Sequence, residues 1–181
     1  MTQPSSGYAL PTGATSADDL SLPLYGASFG QAIKRFFKQY ATFSGRASRS
    51  EYWWVALFTF LVELIPMVLI WVGVGIGLAY QASHTSDNGS VDEYGYGYQS
   101  TPSAMEAPGA GALLIIGGIL MVIVTLALIV PQLAITWRRL HDANLAGPFF
   151  FLGLIPSVGA IIVFIFTLLP PKAEGQRFDR R

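Results

Sequence analysis

Between Tyr52 and Trp137 the chain carries no lysine and no arginine, although this interval holds nearly half of its 181 residues. Two apolar runs fall inside it. Residues 53–80 are interrupted only by Glu63 and Pro66, and residues 112–137 contain no charge. About 20 apolar residues cross the hydrocarbon of a bilayer, so each run is long enough for one crossing and too short for two joined by a turn. Composition points the same way. Only 12% of the residues are charged and 52% are hydrophobic, whereas an average soluble domain has about 25% charged residues. So little charge cannot coat a water-facing surface, and lipid must cover part of it. The expected fold class is all-α: an integral membrane helical protein with three apolar segments after an N-terminal amphipathic surface helix. The formal net charge is zero, which gives no general attraction to nucleic acid. Without cysteine there is no disulfide framework and no thiolate metal site, and no motif calls for a metal or a cofactor.

Residues 1–27 are rich in Ser, Thr, Gly, Pro and Ala. They read as a disordered cytoplasmic tail with too little apolar surface to offset ordering. Residues 28–43 read as an amphipathic helix with Ser28 as N-cap and Phe29, Ile33, Phe36, Phe37 and Tyr40 on one face. Lys34, Arg35 and Lys38 take the other flank. A basic helix with an aromatic face suits the membrane surface; packing on the rest of the protein is the plainer alternative. In the first span (53–80), Pro66 favours a kink, and Gly73, Gly75 and Gly77 leave a thin face for helix contact. Residues 81–111 form an external polar loop with Asp87, Asp92, Glu93 and Glu106 and no basic residue. His84 there reads as a solvated side chain in preference to a metal ligand with Asp87. Residues 112–137 are the second span. Residues 148–169 are a third span or a re-entrant hairpin, because Pro156-Ser157-Val158-Gly159 is a turn-like break. Residues 172–181 are a charged C-terminal tail.

Two junctions flank the uncharged interval. The first is Phe43-Ser44-Gly45-Arg46-Ala47-Ser48-Arg49-Ser50-Glu51-Tyr52-Trp53-Trp54, where arginines run into aromatics and then into hydrocarbon-like sequence. That is the order of layers met on entering a bilayer. The second, Arg138-Arg139-Leu140-His141-Asp142, follows the second run. At these junctions the chain resembles the YhaH-like family of small bacterial inner-membrane proteins, whose shared region is a domain of unknown function. The resemblance rests on Phe43-x-Gly45-Arg46-Ala47-x-Arg49-x-Glu51-Tyr52-Trp53 and on Arg138-Arg139-Leu140-His141-Asp142. The amphipathic lead-in, the Pro-x-x-Gly break and the ending Gly175-Gln176-Arg177-Phe178 add to it. It covers roughly residues 29–178, with the acidic loop as an insertion. It implies a helical protein of the bacterial inner membrane and carries over no catalytic residue.

The residues able to carry chemistry are Arg46, Arg49, Arg138, Arg139 and His141, with Glu51 and Asp142 as pairing acids. The plainest role for the arginines is to anchor the cytoplasmic side. The sharper one is contact with a lipid headgroup or phosphate, since a guanidinium grips phosphate oxygens in two places. Catalysis by Arg139, His141 and Asp142 is the weakest reading, because no nucleophile elbow or phosphate loop accompanies them. Glu63 falls near mid-bilayer, where acids face the protein interior or water. It reads as a Glu making one interhelical hydrogen bond, with Thr125 at similar depth, or as a proton or cation relay.

These features suggest a membrane-interaction or scaffolding protein that contacts anionic lipid headgroups, not an enzyme. The rival is a small transporter or channel subunit using Glu63, which requires a homo-oligomer because three spans cannot easily enclose a pore. The 11 basic residues place the N-terminus and the Arg138 to Gly147 connection inside and the loop outside. Both junctions then share a face, where Glu51 or Asp142 can pair with arginines of the other junction. Three full spans are favoured over the hairpin, which would make the arm Phe149 to Ile155 short.

Overall fold

The computed structural model describes residues 12–84, 89–91, 94–95, 97–99 and 103–179. Helix α1 is Phe29–Lys38, α2 Arg49–His84, α3 Ala110–Asp142 and α4 Gly159–Leu168. Short 3-10 segments occupy Ala104–Glu106, Gly147–Leu154 and Ala173–Phe178. The fold is all-helical apart from one small antiparallel hairpin, β1 (Gly89–Val91) and β2 (Gly97–Gln99), in register Ser90 opposite Tyr98. That hairpin lies in the stretch expected to be wholly loop.

Helices α2 and α3 have 36 and 33 residues, about 54 and 50 Å at 1.5 Å per residue. Each exceeds the roughly 30 Å of bilayer hydrocarbon. Only 17% and 11% of their most apolar windows are buried inside the protein. An apolar helix that the protein itself leaves uncovered is not the core helix of a soluble domain. Trp71, Ile65 and Leu126, each more than 60% exposed, are side chains that lipid covers at no cost and water does not.

Capping chemistry sets the helix ends. The Ser48 hydroxyl accepts the Glu51 amide at 3.1 Å, and the Ser48 amide donates to Glu51 Oε2 at 2.8 Å. This reciprocal box satisfies two amides that a helix start otherwise leaves without partners. At the other end, α3 does not stop at Trp137; it runs on through Asp142. It ends where Asn144 takes φ 62°, with Leu145 N donating to Leu140 O and Asn144 N to His141 O. That bond pair is a Schellman closure, and asparagine tolerates its left-handed position. The Arg138 to Asp142 motif is therefore the last turn of a helix and not a connection.

The chain divides into two units, one of Met1–Thr59 with Leu128–Arg181 and one of Phe60–Ala127. In the second, Gly73 lies against Leu114 and Ala110, Gly77 against Ala104, and Gly117 against Ile70. A Cβ at Gly77 would approach the Ala104 Cβ to 2.6 Å, so the small residues permit close approach of backbone. Gly75 faces open space.

In the first unit, three features depart from the sequence expectations. Residues 12–27 are bound, not loose: Ala14 N donates to Pro23 O, Leu24 N to Glu51 Oε2 and Ala27 N to Ser50 Oγ. The segment lacks apolar surface, but its backbone satisfies buried polar side chains. The remainder of the expected tail, residues 1–11, lies outside the described residues, as does Asp87 beside His84. Helix α1 buries Ala32, Arg35 and Phe36, as does its C-cap Gln39, and leaves Phe29 and Phe37, with Tyr40 just beyond, exposed, so its protein-facing stripe is rotated from the aromatic face. The third apolar run is a hairpin. Gly147–Leu154 and α4 pack on each other, with Phe149 and Phe166 rings 6.1 Å apart and Gly159 seated against the Leu152 carbonyl. The run starts at Gly147, tight against the Trp137 ring. It ends at Leu169, whose carbonyl accepts from Arg49 and Arg139, and Lys172 N donates to Asp142 O. Both ends thus lie at the α3 terminus. Each arm measures about 15 Å, half the hydrocarbon thickness. Pro156 to Gly159 turns the chain back between the two arms.

Candidate functional site

Both junctions meet in the first unit as a buried network of charges. Glu51, fixed by the capping box, is 2% exposed. Its Oε2 also takes the Leu24 amide at 3.1 Å, and its Oε1 accepts from Arg35 Nε at 2.5 Å. The rest of the Arg35 fork donates to the Ala17, Asp19 and Leu22 carbonyls. One guanidinium thereby fastens the N-terminal segment to α1 and α2. Arg138 donates to Gln39 Oε1, and Gln39 Nε2 donates to Leu20 O at 2.7 Å, which repeats the tie one helical turn along α1.

Asp142 is the centre of the second half. It is fully buried and accepts from Arg139 Nη1 at 2.7 Å, from the Tyr25 hydroxyl at 2.8 Å and from Arg46 Nη1 at 3.5 Å. Arg139 completes its fork on the Thr167 and Leu169 carbonyls. Those are orphan acceptors at the C-terminal end of α4, where a cation is also favoured by the helix dipole. Arg46 donates from Nε and Nη2 to both carboxylate oxygens of Asp179, at 2.6 and 2.8 Å, and from Nη2 to Thr12 O. Burial works against the Arg46 charge, but the hydrogen bonds to Asp179 together with the neighbouring Tyr25, Asp179 and Asp142 outweigh it and hold its pKa above the ordinary guanidinium value. Burial, reinforced by the Asp142 carboxylate, pushes the Tyr25 hydroxyl well above the usual phenol range.

His141 donates from Nδ1 to the Gly45 carbonyl at 3.0 Å, and its ring stacks on Phe178 with centroids 4.0 Å apart and planes 5° from parallel. Gly45 N in turn donates to Phe178 O at 2.9 Å. Gly175 comes so close to this site that a Cβ would sit 2.5 Å from the His141 carbonyl.

The structure therefore brings Arg46, Arg139, His141 and Asp142 together, with Glu51 and Arg138 in the adjoining half. Arg46, Arg138, Arg139 and His141 are all less than 10% exposed and bonded within the protein. Arg49 differs: it is exposed, and among the described residues its Nε donates to Leu169 O while no other bond from its guanidinium is seen. Glu51 pairs with Arg35 of α1 and not with an arginine of the second junction. In the other unit, Glu63 is half-buried and Thr125 exposed, and no hydrogen bond joins them among the described residues. His84 is exposed and bonds Ser83 and the Tyr80 carbonyl. Among the described residues no cluster of His, Asp and Glu is arranged to hold a metal.

Arg35, Tyr25, Gln39, Ser48, Phe178 and Asp179 were not singled out from the sequence. Ser48-x-x-Glu51 ahead of an apolar run was a readable capping signal. Ala32, Arg35, Phe36 and Gln39 also share a helical face, a pattern hidden by the stronger aromatic one.

A family model described as "Protein of unknown function (DUF805)" matches residues 40–180. The chain is 29% identical over 148 residues to inner membrane protein YhaH of Escherichia coli K12, covering 80% of this chain and 89% of that one. It is 26% identical over 141 residues to inner membrane protein YhaI of the same strain, covering 78% and 86%. No solved structure matches.

Proposed function

Because this chain belongs to the DUF805 family, whose relatives here are inner membrane proteins, we propose a two-crossing topology with both ends cytoplasmic. In it the protein is a membrane-interaction or scaffolding protein whose basic unit contacts anionic lipid headgroups. The hairpin carries this reading. By turning back to Asp142 it keeps Lys172 and Arg177 in the unit that holds every other described basic residue. Such an asymmetry orients a protein with its basic side inward.

With Asp179 seated on Arg46, the accessible headgroup surface is the outer shell of that unit. Phe29 meets Trp54 edge-on at 5.7 Å, so the exposed aromatics of α1 lie beside the first turns of α2, at the depth where aromatic belts form. Lys34, Lys38, Arg49, Lys172 and Arg177 are exposed. Asp18 neutralises only one of the two lysines it bridges. Each such cation near an anionic surface contributes about 1 kcal/mol.

Native mass spectrometry of the protein released from mixed nanodiscs tests this. It should retain phosphatidylglycerol over phosphatidylcholine, and the triple variant Lys34→Gln, Arg49→Gln, Lys172→Gln should lose most of the preference. Equal retention of both lipids by the native protein defeats the reading.

A further inference from the structure

Two buried guanidiniums, Arg46 and Arg139, share the single carboxylate of Asp142. The second negative charge comes from Asp179, on the short 3-10 turn that ends the described chain. That carboxylate meets Arg46 through two parallel hydrogen bonds, the geometry that a phosphate also adopts on a guanidinium. The Arg46 side chain is wholly buried with Asp179 in place, whereas the Asp179 side chain is 17% exposed. The acid is therefore a lid on the outer side of the Arg46 site, beside the exposed Thr12 and the half-buried Tyr25 that Arg46 also contacts. Among the described residues the turn is held by the Phe178 ring on His141, Gly45 N on Phe178 O, Lys172 N on Asp142 O, Gly175 packed against the His141 carbonyl, two exposed side-chain bonds (Gln176 Nε2 to Thr12 Oγ1 and Arg177 Nη2 to Asn144 O), and Asp179 itself. Removing Asp179 leaves an uncompensated buried cation, which strongly favours any anion that can enter.

We infer that residues 175–179 are a latch over an anion site at Arg46, and that a phosphate-bearing anion displaces Asp179 and frees the segment. This rests on the anionic-lipid reading above and adds a regulated site to it. The phosphate can arrive as a phosphodiester headgroup or as a free ion. Either replaces the Asp179 oxygens on Arg46 Nε and Nη2, and the segment, without its main anchor, opens locally.

Hydrogen exchange of the full chain in nanodiscs tests the latch in three settings: phosphatidylcholine alone, phosphatidylcholine with phosphatidylglycerol, and phosphatidylcholine with inorganic phosphate at constant ionic strength. The Gly175 to Asp179 amides should exchange about tenfold faster with phosphatidylglycerol if a headgroup is the ligand, or with phosphate if the free ion is. Asp179→Asn should exchange fast in phosphatidylcholine alone and respond to neither. Should that variant fold poorly, Asp179→Glu, which keeps the charge, must preserve the native response. Unchanged protection of the native segment in all three settings overturns the latch. Counting retained lipids on the same samples separates the two ideas. Lipid bound with the segment still protected removes the latch and spares the lipid reading. No lipid bound removes the lipid reading and leaves the phosphate arm to decide the latch.

Discussion

Arg35 of α1 and Glu51 of α2 form an ion pair at 2.5 Å with 2% and 3% of their side chains exposed. A pair this deep has lost most of its hydration, and its Coulomb attraction is offset by that loss. Its importance lies in what each partner would cost alone. Glu51→Ala should destabilise the protein by about 3–5 kcal/mol, because it strands a buried guanidinium and also opens the α2 capping box. The double variant Arg35→Met, Glu51→Leu should recover part of that loss. Thermal unfolding in a fixed detergent reads both; a double variant worse than Glu51→Ala would contradict the account.

Tyr25 gives a pH signature. Its hydroxyl donates to Asp142 at 2.8 Å, and burial with that neighbouring carboxylate raises its pKa above the ordinary 10.0. The folded state thus holds the phenolic proton more tightly than the unfolded state. The resulting stability is fully present below pH 10 and is lost as the pH rises from there toward the folded pKa. Native protein should lose stability above about pH 10 more steeply than Tyr25→Phe. Parallel stability curves for the two would show that Tyr25 ionisation is not coupled to folding.

The spans were legible in the sequence because bilayer thickness fixes their length and exclusion of charge marks their ends. The motif residues of the charged network also stood out. Their partners did not, for reasons that differ. Asp179 lies 133 residues from Arg46, a separation that no local pattern reports. Residues 12–27 have the composition of a disordered segment, and what orders them sits elsewhere, in the fork of Arg35. The hairpin was visible as a break at Pro156 to Gly159, but hydropathy cannot say whether a broken run crosses or returns. The bonds from Arg49 and Arg139 to Leu169 O, which bring the end of the run back to the α3 terminus, have no local signature in the sequence.

The hairpin has a packing requirement of its own. A Cβ at Gly159 would lie 2.0 Å from the Leu152 carbonyl oxygen. Because the obstacle is backbone, no side-chain movement relieves it, and Gly159→Ala should cost about 3 kcal/mol, at the upper end of overpacking. A negligible shift in the unfolding midpoint would mean that the two arms are looser than described.

Topology is open to direct labelling in this naturally cysteine-free chain. An impermeant thiol reagent added outside intact cells should modify Ser90→Cys but neither Ser44→Cys nor Ala173→Cys. External labelling of Ala173→Cys would restore a third crossing.

Glu63 is the least engaged acid of the spans. With no bonded partner among the described residues, Glu63→Gln should change stability by less than about 0.5 kcal/mol. If the same substitution abolishes a proton or cation flux in proteoliposomes, the transporter reading displaces the lipid-contact one.

The returning hairpin also bears on how such a protein is made. In the two-crossing topology, the only stretch that must be carried through the bilayer is the connection between α2 and α3, which holds no lysine or arginine. Every cationic side chain stays in the compartment where the ribosome released it. Biogenesis then needs a single helical pair to partition into lipid, driven by its own apolar surface. The network around Asp142 can close only once Lys172 and Asp179 have been synthesised, so the charge cluster assembles after both helices of the pair have been made.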